Sequence, residues 1–206
     1  MPGSWFYDLI YRFGAPWELG VRPPLRTLVE DGRLKAKPGD TAIDLGCGTG
    51  AMSLYLAQSG WTTTGVDFSP VATRKAAERA AQAGVDITFV NGDLSADAIP
   101  GAEGPFDLLL DWGTLDDLQG QARERMAALM TRIAAPGARC FLYCFYAPVD
   151  QLPRMSFRGA SRVAPGIVPG EMERLFGAHW DIEHLTEFDS DQQEAVFLMT
   201  RQADAA

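Results

Sequence analysis

Along the middle of the chain, short and almost wholly apolar runs alternate with longer segments that have the spacing of amphipathic helices. Such runs are typical of strands that are buried on both faces of a parallel sheet. Five of them predict strands at Thr41–Leu45, Thr62–Val66, Asp86–Val90, Phe106–Leu110 and Arg139–Tyr146. Together with the helical segments between them, they predict a doubly wound α/β fold with helices on both faces of the sheet.

Local signals mark the ends of several helices. Ser69 and Pro70 are residue types preferred at an N-cap and at the first helical position, and Gly84 ends the alanine-rich segment that follows. A later helix has apolar residues at i, i+3, i+4 and i+7 from Met126, and we expect it to end at the turn signal Pro136-Gly137. These stops separate each helix from the strand after it.

The N-terminal segment from Ser4 to Gly14 predicts an amphipathic helix. Its apolar stripe comprises Trp5, Phe6, Leu9, Ile10 and Phe13. A stripe of this kind is typical of a helix that packs on the core. The alternative is a lid that closes over a bound acceptor, with Tyr7, Tyr11 and Trp17 facing it.

The segment after the fifth predicted strand follows a different pattern. Proline and glycine residues make Ala147–Gly170 a predicted loop, and a short helix is expected at Glu171–Phe176. Two strands with polar alternation, at about Trp180–Phe188 and Ala195–Gln202, then follow without a helix between them. They predict an antiparallel hairpin at one edge of the sheet. The histidines of this region, including His184, are expected to be structural and to lie away from the ligand-binding end.

Composition narrows the class of protein. The 206 residues are 47% hydrophobic and 22% charged, as expected for one domain of ordinary size. The net charge of −9 disfavours nucleic-acid binding, which requires clustered lysine and arginine. Cys47, Cys140 and Cys144 form neither a disulfide framework nor a zinc pattern, so we expect reduced thiols and no metal. The sequence has no signal-peptide pattern and no membrane-length apolar run, and we expect a cytoplasmic protein with a small-molecule partner.

One segment carries most of the chemical information. From Ala42 to Gly50 the chain forms a strand with an acidic residue, Asp44, and then turns through glycines at alternate positions before a helix. Glycines at such a turn let the backbone approach a ligand where a Cβ atom would collide. A pyrophosphate would favour bare amides and positive potential, whereas an acidic residue beside the loop suits a ligand with cationic groups. Asp44 therefore indicates a cationic ligand.

Acidic residues also follow later strands, at the end of the sheet where ligands bind. Asp67 can accept hydrogen bonds from both hydroxyls of a ribose. Asp93 can accept a hydrogen bond from an adenine amino group. In the loop after the fourth strand, Asp111 or Asp116 can take a proton from an attacking hydroxyl, thiol or amine.

With these motifs the chain resembles the class I S-adenosylmethionine-dependent methyltransferases over about Ala36–Tyr146. The matching segments are Ala42–Gly50, Val66–Ser69, Gly92–Leu94 and Phe106–Leu118. The resemblance implies a seven-stranded sheet of order 3-2-1-4-5-7-6 with strand 7 antiparallel. It implies that the cofactor S-adenosylmethionine is bound by Asp44, Gly46, Cys47, Gly48, Gly50, Asp67, Phe68, Asp93, Leu94, Asp111 and Trp112. Pro16–Gly20 is similar to the entry segment of small-molecule members around thiopurine and tellurite methyltransferases.

The resemblance also implies a reaction, the direct in-line transfer of a methyl group to a small, apolar or aromatic acceptor. Residues 1–35 are then an N-terminal lid or helical extension, 36–146 the cofactor-binding core, and 147–206 the acceptor-side loop and terminal hairpin. Asp111 and Asp116 are the predicted catalytic residues. The predicted acceptor contacts are Tyr7, Tyr11, Trp17, Trp112 and Tyr146. A monomer or a homodimer is expected.

Two other functions stay open. Gly46, Gly48 and Ala51 satisfy a relaxed dinucleotide pattern, and Asp67 would serve the ribose of NAD equally well. Against a dehydrogenase stand the acid at Asp44 and the absence of a Tyr-x-x-x-Lys or comparable hydride-transfer arrangement. The other alternative is a non-catalytic protein that binds an adenosyl ligand.

Overall fold

The computed structural model describes residues 4–15, 20–152, 154–157, 160–163 and 166–203. Trp17, one of the predicted acceptor contacts, lies outside the described residues, as does most of the segment similar to small-molecule members. Within the described residues no helix is long and apolar enough to cross a membrane.

Nine strands and six α-helices make up the described structure. The strands, numbered along the chain, are β1 (Thr41–Leu45), β2 (Thr62–Asp67), β3 (Thr88–Asn91), β4 (Phe106–Trp112), β5 (Ala134–Phe145), β6 (Arg154–Phe157), β7 (Ala160–Val163), β8 (Trp180–His184) and β9 (Glu194–Arg201). The helices are α1 (Ser4–Phe13), α2 (Pro23–Glu30), α3 (Ala51–Gln58), α4 (Pro70–Ala83), α5 (Gln121–Ile133) and α6 (Glu171–Phe176), with a 3₁₀ turn at Thr186–Phe188.

Seven of the strands form one sheet in the order β3-β2-β1-β4-β5-β9-β8. The first five are parallel, whereas β9 runs antiparallel to both of its neighbours. Since β9 is the seventh strand of this sheet along the chain, the order confirms the 3-2-1-4-5-7-6 arrangement and the edge hairpin. The carboxyl ends of β1, β2, β4 and β5 therefore meet at one edge of the sheet.

Both faces of this sheet are buried, as the apolar strands predict. Alternate residues of β4 point to opposite faces, so that Leu109 belongs to one hydrophobic cluster and Leu108 and Leu110 to the other. The first cluster is closed by α5 and α6, and the second by α2 and α3, through residues such as Met126 and Leu25. Helices on both faces position the loops that follow the parallel strands.

Several strand boundaries differ from the prediction. β3 begins at Thr88 and not at Asp86, and β8 ends at His184, before the 3₁₀ turn, and not at Phe188. The changes in β4 and β5 bear on the site. β4 continues to Trp112, because its pairing with β5 extends to Tyr143 and the acidic residue before it is buried within the strand. β5 already begins at Ala134 and contains Pro136-Gly137, which therefore do not end α5. Pairing with β4 is made at Ala134 and again from Arg139, so the proline lies where β5 has no partner.

The predicted loop Ala147–Gly170 contains a short antiparallel hairpin, formed by β6 and β7. The prediction of a continuous loop was wrong here. Prolines and glycines stand in the sequence around and between the two strands, where they mark the ends of strands rather than exclude them.

The helix α1 packs through a face that includes only part of its apolar stripe, namely Ile10 among the described side chains. Leu9 and Phe13 are 46% and 84% exposed, whereas Tyr11 is buried against the start of α4 with Val71 and Ala72. Polar contacts fix this orientation: Asp8 Oδ1 accepts a 2.5 Å hydrogen bond from the Ser69 hydroxyl. A small, alanine-lined helix surface accommodates tyrosine rings, and the prediction that the whole stripe packs on the core was wrong.

Candidate active site at the carboxyl ends of the strands

Three buried carboxyl groups lie together where β1, β2 and β4 end. In the register of the sheet, Leu45 lies opposite both Val66 and Asp111, which places Asp44, Asp67 and Asp111 at nearly the same level. Their residues are 0%, 3% and 0% exposed. We call this place the acidic crevice. The negative charge of Asp67 helps to raise the pKa of Asp44, and that of Asp44 helps to raise the pKa of Asp111. Such a group of acids favours a cationic ligand.

Asp67 organises the glycine loop through its carboxylate. Oδ2 accepts a hydrogen bond from the Gly48 amide at 2.9 Å, and Oδ1 accepts one from the Ser69 amide at 2.8 Å. The amides of Gly46 and Cys47 both donate to the carbonyl of Val66. The loop is therefore folded back onto the end of β2, and the predicted ribose acid also determines its shape.

Close packing requires glycine at two positions of this loop. A Cβ atom on Gly46 would lie 2.0 Å from Thr114 Oγ1, and one on Gly50 would lie 2.8 Å from the Cβ atom of Ala76. Both glycines also have positive φ, 79° and 75°. Thr114 in turn donates to the carbonyl of Leu45 at 3.1 Å, so it ties the loop after β4 to β1. No sequence pattern singled out Thr114. That Gly46 and Gly50 line a cofactor stays a prediction.

Asp44 is a buried carboxyl group with one oxygen unused. Oδ2 accepts a 2.5 Å hydrogen bond from the Ser53 hydroxyl of α3. Oδ1 is inaccessible to solvent and has no hydrogen-bond partner in the described part of the chain. Burial, with the Asp67 charge adding to it against the Ser53 bond, raises the pKa of Asp44 to about 7. An unpaired buried oxygen is costly in a folded protein and typical of a ligand site.

The two predicted catalytic acids have different surroundings. Asp111 accepts backbone hydrogen bonds on both oxygens, from Thr114 at 3.0 Å and Leu115 at 3.1 Å, so its carboxylate shapes the loop after β4. Asp116 accepts one, from the Phe145 amide at 2.9 Å, while its Oδ1 is buried without a partner among the described residues. Burial is the main cause that raises the pKa of Asp111 to about 7 and of Asp116 to about 8.

Trp112 lies on the opposite face of the sheet from Asp111 and is half-buried. Its ring stacks on Tyr143 at 3.8 Å between centroids, with 4° between the planes. The Arg22 guanidinium lies over the Trp112 ring at 5.1 Å, and the Tyr143 hydroxyl donates to Glu194. Arg22 and Tyr143 belong to distant segments, so only the fold could reveal this stack. Contact of Trp112 with cofactor or acceptor stays a prediction.

The turn after β3 is tied to the end of β2. The Gly92 amide and the Asn91 side chain both donate to the carbonyl of Asp67. Asp93 is exposed, and its Oδ1 accepts from the amide and hydroxyl of Ser95, while Leu94 is buried in the core. The adenine-side roles of Asp93 and Leu94 stay predictions.

The N-terminal tyrosines lie beside the turn that follows β2. The Tyr7 ring contacts the half-buried Phe68 ring edge-on, with centroids 4.9 Å apart. Tyr11 fits a packing role between α1 and α4 better than contact with an acceptor, since only 5% of it is exposed. The helix α1 therefore contacts the turn that is predicted to hold the cofactor.

Tyr146 follows β5 at the same edge of the sheet. Its ring packs edge-on against Phe197 and against His184, at 5.1 Å and 5.5 Å between centroids. Since β8 runs parallel to β5, His184 also lies towards this edge, where its Nε2 pairs with Asp189 at 2.8 Å. The expectation that His184 lies away from this end was wrong, because His184 is the last residue of β8 and therefore lies at the same edge as the carboxyl end of β5. Among the described residues no cluster of three or more His, Cys, Asp or Glu is arranged to hold a metal.

Comparisons with known proteins agree with this geometry. Residues 42–137 match the protein family described as "Methyltransferase domain". The chain is 33% identical over 149 residues to 2-heptyl-1-hydroxyquinolin-4(1H)-one methyltransferase of Mycobacteroides abscessus. That alignment covers 68% of this chain and 63% of the relative, so the chain spans a little under two thirds of that relative's length.

Two solved structures have the same fold over nearly the whole chain. A TehB-like S-adenosylmethionine-dependent methyltransferase from Corynebacterium glutamicum has a TM-score of 0.67 and 23% identity, and the alignment covers 97% of this chain and 98% of that one. The 1,6-didemethyltoxoflavin-N1-methyltransferase of Burkholderia thailandensis, with bound S-adenosylhomocysteine, has a TM-score of 0.68 and 21% identity, with coverages of 97% and 87%. Residues 42–137 therefore form a methyltransferase domain, and the chain has the fold of the class I S-adenosylmethionine-dependent methyltransferases.

Proposed function

We propose that this protein transfers the methyl group of S-adenosylmethionine to a small-molecule acceptor by direct in-line displacement. The observation that carries the proposal is the acidic crevice, in which Asp44 keeps a buried carboxyl oxygen without a partner among the described residues. The cofactor carries a sulfonium and an ammonium group, and a buried anion is what such cations require. A dinucleotide would instead bring its pyrophosphate towards these carboxylates, and this disfavours the dehydrogenase alternative.

The residues of the crevice fit the parts of the cofactor. Asp44 would bind its cationic end, and Asp67, which the amides of Gly48 and Ser69 hold in place, would accept from the ribose hydroxyls. Phe68, with Asp93 and Leu94, would hold the adenine side. When bound, S-adenosylmethionine supplies an already activated methyl group. The protein then mainly holds the acceptor in line with it, and orientation of this kind is worth as much as about 7–11 kcal/mol.

The acceptor side lies beyond the ends of β4 and β5, near Asp116 and Tyr146. The relative from M. abscessus is named for 2-heptyl-1-hydroxyquinolin-4(1H)-one. A hydroxylated aromatic heterocycle is therefore the first acceptor class to test. The three-part division of the chain, the acceptor role of Trp17 and a cytoplasmic location stay predictions. A non-catalytic adenosyl-binding protein is the second candidate, since the acidic crevice alone accounts for binding.

The test combines binding with turnover. Asp67→Asn should weaken S-adenosylhomocysteine about 10- to 100-fold in calorimetry, because hydrogen bonds to a charged group are worth roughly 1.5–3 kcal/mol. Asp86→Asn, an exposed site at the opposite end of β3, is the matched control and should bind normally. A melting curve of each variant shows whether the loop held by Asp67 has kept its structure.

A cofactor analogue without the ribose hydroxyls sharpens this test. It should bind the wild type and Asp67→Asn equally, since the carboxylate has nothing to accept from it. Unchanged affinity of Asp67→Asn for the complete cofactor would contradict the ribose assignment. Formation of S-adenosylhomocysteine from S-adenosylmethionine with 2-heptyl-1-hydroxyquinolin-4-one then tests methyl transfer, and tight binding without turnover on a broad acceptor panel would favour the non-catalytic candidate.

A further inference from the structure

The loop after β4 contains a second carboxyl group with an unused oxygen, that of Asp116. Asp116 lies on the side where we propose that the acceptor binds. Asp116 is 3% exposed, and the Phe145 amide engages only its Oδ2. Its Oδ1 is buried and finds no hydrogen-bond partner in the part of the chain that the structure describes. The group lies between β4 and β5, because its loop follows β4 and the amide that it binds belongs to Phe145 at the end of β5. This arrangement leaves one buried carboxyl oxygen that no described residue satisfies.

The nearest basic residue does not pair with this oxygen. Arg123 of α5 donates to the backbone carbonyls of Asp116, Leu118 and Gly166, each at 2.8 Å. Its remaining contact is an ion pair with Glu171, also at 2.8 Å. Arg123 thus holds the backbone of the loop in place and joins it to the segment that follows the β6–β7 hairpin. The carboxyl group of Asp116 keeps no hydrogen-bonded counter-ion among the described residues.

We infer that Asp116 is the catalytic base of the proposed methyl transfer, and that the acceptor is a neutral molecule whose nucleophilic oxygen carries a proton, such as a phenol or an N-hydroxy heterocycle. The inference rests on the proposed function. An anionic acceptor would meet the carboxylates of Asp44, Asp67 and Asp111 as well as Asp116. An acceptor hydroxyl, in contrast, supplies the hydrogen that Oδ1 lacks.

The step balances as follows. The O–H bond of the acceptor breaks and its proton passes to Asp116 Oδ1, while the oxygen electron pair forms the new bond to the methyl carbon. The bond between that carbon and the sulfonium sulfur breaks, and its electron pair stays on sulfur. The products are the methylated acceptor, S-adenosylhomocysteine and the protonated carboxyl group, which returns its proton to solvent.

The surroundings of Asp116 match this role. It is faced by Asp111 from β4, by Asp117 of its own loop, by Arg123 from α5 and by Cys144 from β5. Burial and the two acidic neighbours raise the pKa of Asp116 to about 8, against the Phe145 hydrogen bond and Arg123. A base is most effective when its pKa lies near the working pH and when it is a stronger base than an ordinary carboxylate.

The experiment compares Asp116→Asn with Asp117→Asn, which removes the same charge from an exposed neighbouring position. The acceptors are 2-heptyl-1-hydroxyquinolin-4-one and a series of para-substituted phenols, with S-adenosylmethionine saturating. For a weakly acidic phenol, Asp116→Asn should lower kcat about 100-fold or more, the usual contribution of a general base. For 4-nitrophenol above its own pKa, where the acceptor is already ionised, the loss should be small. Asp117→Asn should keep the wild-type maximum of kcat for every acceptor, with the rise of kcat at slightly lower pH, because the charge of Asp117 contributes to the raised pKa of Asp116.

A merely structural role for Asp116 predicts an equal loss for every acceptor, and this result would overturn the inference. So would the failure of the wild type to methylate any of these hydroxyl acceptors while it binds S-adenosylmethionine and methylates another class. Failure of the proposed function is distinct, since it appears as absent cofactor binding or as binding without turnover of any acceptor.

If Asp116→Asn does not fold, the pH dependence of kcat of the wild type still tests the inference. This kcat should rise with pH and be half-maximal near pH 8 for every phenol, because the ionising group belongs to the protein. A rise that moves with the pKa of each phenol would instead assign the ionisation to the acceptor and exclude Asp116.

Discussion

Replacing Asp44 by asparagine should change both the stability of the protein and its affinity for the cofactor, in opposite directions. Asparagine has the same shape, and its side-chain oxygen can still accept the hydrogen bond from Ser53. What the substitution removes is a buried negative charge whose second oxygen has no partner within the described structure. The free protein bears the cost of that charge, and only a bound cation offsets it.

The size of the change in stability follows from the pKa of Asp44, which burial raises from 3.8 to about 7. Between these values the folded protein holds a proton that the unfolded chain has lost. Stability from this group is therefore fully present below the unfolded pKa and is lost as the pH rises through the folded one. From pH 5 to pH 7 the loss is about 2 kcal/mol, since one pKa unit is worth about 1.4 kcal/mol.

Melting curves of the cofactor-free protein at pH 5 and pH 7 measure this effect. Relative to the wild type, Asp44→Asn should gain about 2 kcal/mol between the two pH values, or about 4–8 °C for a chain of this size. The absolute difference also contains the cost of the unpaired amide, but that cost does not depend on pH. Asp86→Asn is the exposed control. A difference in Tm between Asp44→Asn and wild type that is the same at both pH values would refute the reasoning.

Calorimetry tests the other half of the prediction. At pH 7 roughly half of the Asp44 carboxyl groups hold a proton, so a cationic ligand should release about half a proton from this residue. Titrations in buffers of different ionisation enthalpy measure that release, and Asp44→Asn should lack it. Its affinity for S-adenosylmethionine should fall about 10-fold or more, the value of one charge-assisted hydrogen bond. Equal proton release from both proteins would contradict the assignment of Asp44 to the cation.

Two further predictions concern the parts of the protein that hold the site in shape, the glycine loop and α1. Gly46→Ala should lower the free energy of unfolding by about 2–4 kcal/mol, because it adds a backbone strained by positive φ to a collision with Thr114. In denaturant unfolding, the double variant Gly46→Ala/Thr114→Ala should recover only the free energy lost to the collision. Recovery of the whole loss, or of none of it, would contradict this separation of strain from collision. Deletion of residues 1–15 should raise the Kd for S-adenosylhomocysteine, because α1 contacts Phe68 and Ser69. Phe13→Ser, at an exposed position, is the control and should leave that Kd unchanged. If the deletion instead changed only the KM for an acceptor, the result would favour a role of α1 as a lid over the acceptor.

The sequence predicted best those elements whose ends carry local signals. β1 has the predicted bounds, since a Pro-Gly turn precedes it and the glycine loop follows it. The end of β4 was placed too early because Asp111 is acidic, and an acid in a buried strand contradicts the usual polarity rule. The fold tolerates it because the amides of Thr114 and Leu115 satisfy both oxygens. A pattern of residue types contains no such information about partners.

Contacts between distant segments could not be predicted in the same way. The stack of Arg22, Trp112 and Tyr143 joins three segments that are far apart in sequence, and so does the clamp of Arg123 on the carbonyl of Gly166. For α1 the hydrophobic stripe was visible, but the surface available to it was not. Once α4 offers alanine and valine side chains beside Ser69, Tyr11 and Asp8 fit there and Phe13 is left exposed.

The sign of the charge in the crevice links the cofactor to the direction of the reaction. S-adenosylmethionine has a sulfonium charge in addition to its ammonium and carboxylate, whereas the product S-adenosylhomocysteine has lost that charge. Buried carboxylates such as Asp44 and Asp67 attract the first more strongly than the second, because electrostatic interactions are strong where water is excluded. Once the methyl group had been transferred, the sulfonium charge would be gone, the ionised form of Asp44 would be stabilised less, and the carboxyl group would regain its proton. The same unpaired acid that weakens the free protein would thus favour binding of the cofactor and release of a product that carries one positive charge less.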